Sequence, residues 1–229
     1  MPDKFDLFYG RNHKKIGQGE AVEVCYLDFR KAFDSVNHRM LILKLQCFNL
    51  SPSVISWISA FLHHRTFHVA VEGEVSEMES ASSGVPQGSV LGPLLFLSYI
   101  NDLARALECP GYMFADDVKL VGCPSEQSMQ RDLDRIYQWT VDWDLPLNNN
   151  KCQLLTLNES TSTRTLGCSG AQSSVPNMKQ VRDLGVMITG DFKSTSQCIE
   201  AARKGNAALY RLKRTVASRD PKVLLYVPT

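Results

Sequence analysis

Tyr112-Met113-Phe114-Ala115-Asp116-Asp117-Val118-Lys119-Leu120-Val121 decides how the rest of the chain is read. Apolar and aromatic residues lead into two adjacent aspartates, and apolar residues lead out again. Residues 112–114 and 118–121 predict two strands, because β-branched and aromatic side chains dominate and no helical period is present. A tight turn then carries Asp116 and Asp117 at the tip of a hairpin. Two carboxylates about 4 Å apart repel by roughly 4 kcal/mol at an effective dielectric near 20. A shared proton or a bound cation relieves that repulsion. Hard divalent cations, Mg²⁺ first, suit such an all-oxygen pair. A plain surface turn is the simpler alternative, since Asp is a favoured turn residue. What lies upstream decides between them.

Upstream, Val22-Glu23-Val24-Cys25-Tyr26-Leu27-Asp28-Phe29 predicts a strand, mostly apolar and so buried on both faces, that carries an aspartate at its end. If it neighbours the hairpin in one sheet, Asp28, Asp116 and Asp117 converge. Three carboxylates are enough to hold two Mg²⁺ ions about 3.5–4 Å apart, the arrangement for in-line phosphoryl or nucleotidyl transfer.

The 229 residues are 44% hydrophobic, enough for a sizeable core. No apolar run approaches the 18–20 residues of a membrane span, and the polar first twenty residues do not read as a signal peptide, so an intracellular protein is expected. The seven cysteines (25, 47, 109, 123, 152, 168, 198) contain no Cys-x-x-Cys pair and fit buried, reduced thiols better than disulfides or a zinc site. A net charge of +1 conceals +6 over residues 193–222 and −5 elsewhere. A basic segment of this kind predicts a polyanionic partner or, more simply, a solvated helix face.

Along the chain, Asn37 predicts the N-cap of a helix reaching about Cys47, and Ser51-Pro52 the start of another carrying Val54, Ile55, Ile58, Phe61 and Leu62. Residues 67–71 and 75–78 flank a Glu-Gly-Glu turn as a hairpin. Gly84-Val85-Pro86-Gln87-Gly88-Ser89 opens a long apolar helix over residues 90–107, and Ser125 predicts the cap of the next. Residues 152–157 predict a strand, 160–174 a loop or weak hairpin, and 181–189 strand structure around Gly185. One amphipathic helix or two over 195–216 point Ile199, Ala202, Leu209 and Leu212 inward. This order is α+β, compatible with a split βαβ sheet covered by helices on one face.

Three stretches taken in order resemble reverse transcriptases, most closely the non-LTR, LINE-type retrotransposon enzymes of the jockey and CR1 kind. They are Tyr26-Leu27-Asp28-Phe29-Arg30-Lys31-Ala32-Phe33-Asp34, Ser83-Gly84-Val85-Pro86-Gln87-Gly88-Ser89-Val90-Leu91-Gly92-Pro93, and Phe114-Ala115-Asp116-Asp117. The resemblance continues through Leu147-Asn148-Asn149-Asn150-Lys151-Cys152 and Arg182-Asp183-Leu184-Gly185-Val186. It covers nearly all of residues 20–216. It implies a right-hand polymerase: residues 1–20 a remnant of fingers or a linker, 21–190 the ferredoxin-like palm, 191–229 the start of a helical thumb, with the fingers missing. Its activity would be RNA-directed DNA synthesis from dNTPs on an RNA template with a DNA primer, using two Mg²⁺ ions or Mn²⁺ in their place.

Carried over by position, Asp28, Asp116 and Asp117 look like the metal-binding catalytic triad, joined by the backbone carbonyl of Phe29. Phe33 matches the aromatic that crowds the sugar 2′ position, Gln87 and Gly88 the contact to the incoming nucleotide, and Lys151 a lysine near the pyrophosphate. Lys119 reads as a counter-charge on the hairpin. Arg203, Lys204, Arg211, Lys213 and Arg214 would meet template–primer phosphates, contacts that give affinity without sequence information. Phe114 stands where many relatives have Tyr. The resemblance implies a fragment of a longer polyprotein, with cytoplasm and nucleus as its compartments. A catalytically silent nucleic-acid-binding remnant, or another palm-fold phosphotransferase such as a nucleotide cyclase, is the alternative.

Overall fold

The computed structural model describes residues 18–158, 162–167, 173–191 and 193–215. The readings made for residues 1–17, Cys168 and 216–229 lie outside them. The chain forms two compact units, dividing between Met178 and Lys179.

The first unit is built on a five-stranded sheet. The middle strand, β1 (Val22–Asp28), runs antiparallel to β7 (Asp117–Gly122) on one side and to β8 (Gln153–Leu157) on the other. β6 (Gly111–Phe114) closes the β7 edge, and β11 (Asn177–Met178) pairs parallel with β8. Because side chains alternate along a strand and register partners share a face, the register sorts the two faces. Cys25, Leu27, Val118, Leu120 and Leu154 belong to the hydrophobic core. The opposite face carries Tyr26, Asp28, Lys119, Asp117 and Tyr112. The buried Glu23 breaks the apolar pattern of β1 and is held by the guanidinium of Arg164, itself buried, and by the Ser162 hydroxyl at 2.7 Å.

Helices cover the core face. α1 (His38–Gln46) is capped by Asn37, whose Oδ1 accepts from the Met40 amide, and α2 (Pro52–Leu62) by Ser51 with Pro52 in its first turn. Both starts are as expected from the sequence. The next helix is shorter than the apolar run suggests. α3 (Leu91–Ile100) ends before Asn101, and the chain continues as a separate 3₁₀ turn, Leu103–Ala106. Asp102, just past the break, accepts from buried Lys44 at 2.5 Å, which ties the break to α1. α4 (Ser128–Asp142) begins three residues after Ser125 and has no side-chain cap. Its apolar stripe of Met129, Leu133 and Ile136 is buried as expected.

Between α2 and α3 the expected hairpin is present but interrupted. β3 (Ala70–Val71) and β4 (Glu74–Val75) pair around a Glu72-Gly73 turn with both φ values positive, and β2 (Thr66–Phe67) pairs with β5 (Glu79–Ser80). The region read as a loop or weak hairpin contains a two-residue pairing of β9 (Thr165–Leu166) with β10 (Ser173–Ser174). Among the described residues six cysteines are free thiols, and no helix is long and apolar enough to cross a membrane.

The second unit pairs β12 (Gln180–Asp183) with β13 (Val186–Thr189) around Leu184-Gly185 and follows them with one continuous helix, α5 (Thr195–Thr215). The hairpin therefore groups with the helix, although the sequence reading set it with the sheet. Ile199, Leu209 and Leu212, expected to point inward, are exposed, and no residue of α5 is buried. An amphipathic pattern states which face could pack, not that a partner lies against it.

Lys44 is the most unusual core residue. Its ammonium lies 3.8 Å from the ring centre of Trp143 and 4.7 Å from that of Trp139, and it donates to the Tyr99 carbonyl and to Asp102. Burial pushes its pKa down against the opposing pull of Asp102. Lys44→Ala removes both the cation–π contacts and the packed stem, and should cost about 2–4 kcal/mol in urea unfolding. Lys44→Met, which keeps the stem, should recover more than half of that loss. Equal losses for the two variants would show that the charge alone matters.

Candidate active site

The end of β1 is where the candidate residues gather. Asp28 is the register partner of Asp117, and Phe114 is the partner of Asp117 across the hairpin. The hairpin turn is Ala115-Asp116, with Ala115 at φ 51. Asp117 is thus the first residue of β7 and not at the tip, as expected from the sequence. Two-residue turns need positive φ, and here Ala115 takes it while Asp116 bridges back to the strand. Asp28 therefore faces Asp117 directly, with Asp116 next along the chain. Directly opposed residues have Cβ atoms about 4.5–5.5 Å apart. Among the described residues, however, no three His, Cys, Asp or Glu side chains stand close enough together to hold a metal ion.

The loop before β8 supplies a cation instead. The Asn148 amide donates to the Asp28 carbonyl at 2.7 Å, and Lys151 and Cys152 amides close a turn on the Asn148 carbonyl. This turn sets the Lys151 ammonium 3.3 Å from Asp28 Oδ2. That oxygen is buried and has no aligned hydrogen bond, so the lysine serves it as a counter-charge only. A buried carboxylate oxygen without a donor is costly, and a nearby ammonium offsets that cost only in part.

Phe29 follows Asp28 and bridges to Leu147. The bonds of that bridge run through the Asp28 carbonyl and the Arg30 amide, so Phe29's own carbonyl is directed to the other flank, where β7 begins. Its ring is buried, 6.3 Å from Trp139. The donor set at this corner is all oxygen and suits a hard divalent ion. Lys119 is buried on the same face, cross-strand from Tyr26 and Tyr112, with its ammonium 6.0 Å from the Tyr26 ring centre.

Phe33 stacks on Phe96 of α3 with centroids 4.5 Å apart and stays half-buried. The Gly84-to-Gln87 loop is zipped onto the same segment. Gly84 and Val85 amides donate to the Val36 and Phe33 carbonyls, each at 2.8 Å, and the Ser83 hydroxyl donates to the Asp34 carbonyl at 2.8 Å. Gln87 Nε2 consequently donates to Asp34 Oδ1 at 2.8 Å. Gly88 has φ +81 and open space where a Cβ would stand, whereas a Cβ on Gly84, φ +83, would meet the Asp34 carbonyl oxygen at 2.7 Å. Close approach of backbone to backbone is thus the role of Gly84, which sequence reading left without one.

Behind the loop, the Gly84 carbonyl accepts from Arg65 at 2.6 Å and lies 2.8 Å from Nε2 of buried His38, which must be the donor there. Burial holds the His38 pKa down, assisted by Arg65 and His63, while the bond to Gly84 opposes the shift. Asp34, His38 and Arg65 were not singled out from the sequence. The position of Asp34 inside the Lys31-Ala32-Phe33-Asp34 stretch was the one signal available; nothing local marks the other two.

On α5, Arg203 and Lys204 both pair with Glu200, at 2.9 and 3.7 Å, and Arg182 of the hairpin joins them at 3.2 Å. Arg203, Lys204, Arg211 and Arg214 fall within roughly 100° of the helix circumference, with Lys213 off that stripe.

A helix-covered sheet with opposed carboxylates at the end of its middle strands is the arrangement of a nucleic-acid polymerase palm. Telomerase from Candida tropicalis shares the fold, with a TM-score of 0.54 at 13% identity over 80% of this chain and 37% of that one. The chain belongs to the reverse transcriptase family: residues 5–188 match "Reverse transcriptase (RNA-dependent DNA polymerase)". It is 31% identical over 158 residues to the RNA-directed DNA polymerase from mobile element jockey of Drosophila melanogaster, covering 63% of this chain and 17% of that protein. The jockey polymerase of Drosophila funebris is 33% identical over 145 residues, covering 58% of this chain and 16% of that one. The probable polymerase from transposon X-element of D. melanogaster is 32% identical over 136 residues, 55% of this chain and 15% of its own length. The chain therefore spans about a sixth of the relatives it matches.

The two loop glycines should separate in stability measurements. Gly88→Ala adds backbone strain of about 1–2 kcal/mol and no clash. Gly84→Ala adds the same strain plus an overlap with the Asp34 carbonyl, and should exceed the Gly88→Ala loss by at least about 1 kcal/mol in denaturant titration. Equal losses would mean that the loop is not held against Asp34.

Proposed function

We propose that this chain is the palm, with the beginning of a thumb, of an RNA-directed DNA polymerase that extends a DNA primer 3′-hydroxyl with dNTPs on an RNA template. The observation that carries this reading is Asp28: opposed to Asp117, with a buried oxygen that, among the described residues, only the exposed Lys151 ammonium serves. Asp28, Asp116, Asp117 and the Phe29 carbonyl would hold two Mg²⁺ ions, with Mn²⁺ an alternative. Ions of this kind lower the pKa of an attacking hydroxyl and neutralise a leaving pyrophosphate.

The chain's own groups account for the remaining demands. Phe33, braced from behind by Phe96, presents a ring that fills the space of a ribose 2′-hydroxyl. Gln87 is held by Asp34 beside Phe33, and Gly88 leaves room for a nucleotide to approach the backbone. Lys151 is exposed along most of its length and can leave Asp28 for phosphate oxygens as negative charge develops. The Arg203, Lys204, Arg211 and Arg214 stripe, with Lys213 beside it, suits the phosphates of a template–primer duplex.

One observation favours a second reading, a nucleic-acid-binding domain without turnover: the Lys151 ammonium already stands as counter-charge to Asp28. Primer extension on an RNA template decides between the two. In an actively extending polymerase that contains this chain, Asp28→Asn should lower extension at least about a hundredfold, at the upper end of what losing even an outer partner of a metal costs. Hybrid binding should be retained. Extension that survives Asp28→Asn would end the catalytic assignment. In the same assay Phe33→Ala should raise ribonucleotide incorporation relative to deoxynucleotide. Unchanged selectivity would leave Phe33 as packing for Phe96 alone.

A further inference from the structure

We propose a second anion site: the cleft between the first turn of α1, the end of α2 and residues 80–82 binds a phosphodiester group of a nucleic-acid strand. The proposal rests on the reading that the chain handles nucleic acid, and adds to it a site remote in role from the carboxylates. The cleft measures about 370 Å³ and brings together His38, Arg39, His63, His64 and Arg65, with Asn37 at its rim. Arg39 and Arg65 bring two fixed positive charges to it, the Arg65 guanidinium also donating to the Leu62 and Gly84 carbonyls. Arg131, Arg135, Arg164 and Arg182 each meet a carboxylate, but among the described residues neither Arg39 nor Arg65 does. The Arg65 guanidinium lies 3.3 Å from His38 Nε2.

His64, at φ 58 just past the end of α2, takes the left-handed conformation common after a helix. One further feature points to a ligand. The cleft also adjoins an apolar groove of about 720 Å³ floored by Ile42, Pro52, Ile55 and Ala60, and His63 and His64 line both. A free phosphate would use only the cationic half. A nucleotide within a strand uses both, with its phosphate among the arginines and its sugar or base on the aliphatic floor. Arg65 and His38 also hold the Gly84 carbonyl, so a strand seated here lies on the reverse side of the loop that carries Gln87.

The test is the affinity of the full chain for a labelled single-stranded RNA across salt, with Arg39→Ser/His64→Gly as the variant. Glycine accepts the His64 backbone conformation, so thermal stability should hold, and Arg39→Glu serves as an independent single change at an exposed position. We expect roughly tenfold weaker binding at low salt and a log–log salt slope shallower by about 0.7 for each phosphate that the protein no longer neutralises. An unchanged affinity and slope in both variants would overturn the site. Phosphate-31 NMR with inorganic phosphate separates the sources: variants that lose phosphate binding while keeping RNA affinity would make this a free-oxyanion site and overturn the strand. Asp28→Asn, assayed in parallel by primer extension, separates the two readings. A silent cleft variant with Asp28→Asn still abolishing extension overturns the cleft alone, and the reverse result overturns the polymerase alone.

Discussion

The hydrogen-bonded register of β1 between β7 and β8 is the constraint on which every other placement rests. Side chains alternate along a strand, so a slip of one residue would turn Asp28 into the core and Leu27 onto the open face. Three features hold the register. Cys25 and Leu27 are buried against the helices, with exposures of 0% and 3%. Glu23, at the other end, is locked by Arg164, whose guanidinium also reaches the carbonyls of Pro124 and Glu126. The third is the loop after α4, which bonds to the Asp28 carbonyl and Arg30 amide as a short continuation of the sheet. The buried pair is costly to break and so penalises slippage, because a misregistered strand would leave Glu23 without its guanidinium.

The same register concentrates negative charge at the far end of the strand. Asp28 and Asp117 are opposed, and Asp116 is next along the chain in the turn. Like charges opposed across strands destabilise, and partial burial of Asp28 adds to the cost. Lys151 offsets part of it, but from a long exposed side chain and without an aligned hydrogen bond. Such a contact is weak and easily exchanged. The carboxylate end is thus held in a condition that a stronger cation would relieve, which is how strained sites are retained in otherwise well-satisfied folds.

What was legible in the sequence follows from how locally each feature is specified. The caps at Asn37 and Ser51, the strand of Asp28 and the hairpin of the paired aspartates are written in adjacent residues, and the structure has them. The identity of Asp28's partner was not legible, because it depends on which hairpin residue takes positive φ, and Ala115 gives no glycine signal. The end of α3 at Asn101 depends on Lys44, more than fifty positions away, capturing Asp102. The inward faces assigned to α5 followed from periodicity, which marks an apolar stripe whether or not anything covers it. His38 and Arg65 were invisible for the opposite reason: their meaning lies in one backbone carbonyl, that of Gly84, and carbonyls carry no sequence.

That carbonyl shows how a polar contact without chemistry of its own can organise a site. Gly84 must be glycine because of the Asp34 carbonyl on one side, and its own carbonyl draws His38 and Arg65 on the other. The loop is therefore clamped from both faces, with Gln87 and Phe33 on one side of the clamp and the cationic cleft on the other. Both donors to the Gly84 carbonyl also line that cleft, so an anion seated there and the position of Gln87 act on the same few hydrogen bonds. The cleft side and the Gln87 side thus rest on one shared set of hydrogen bonds.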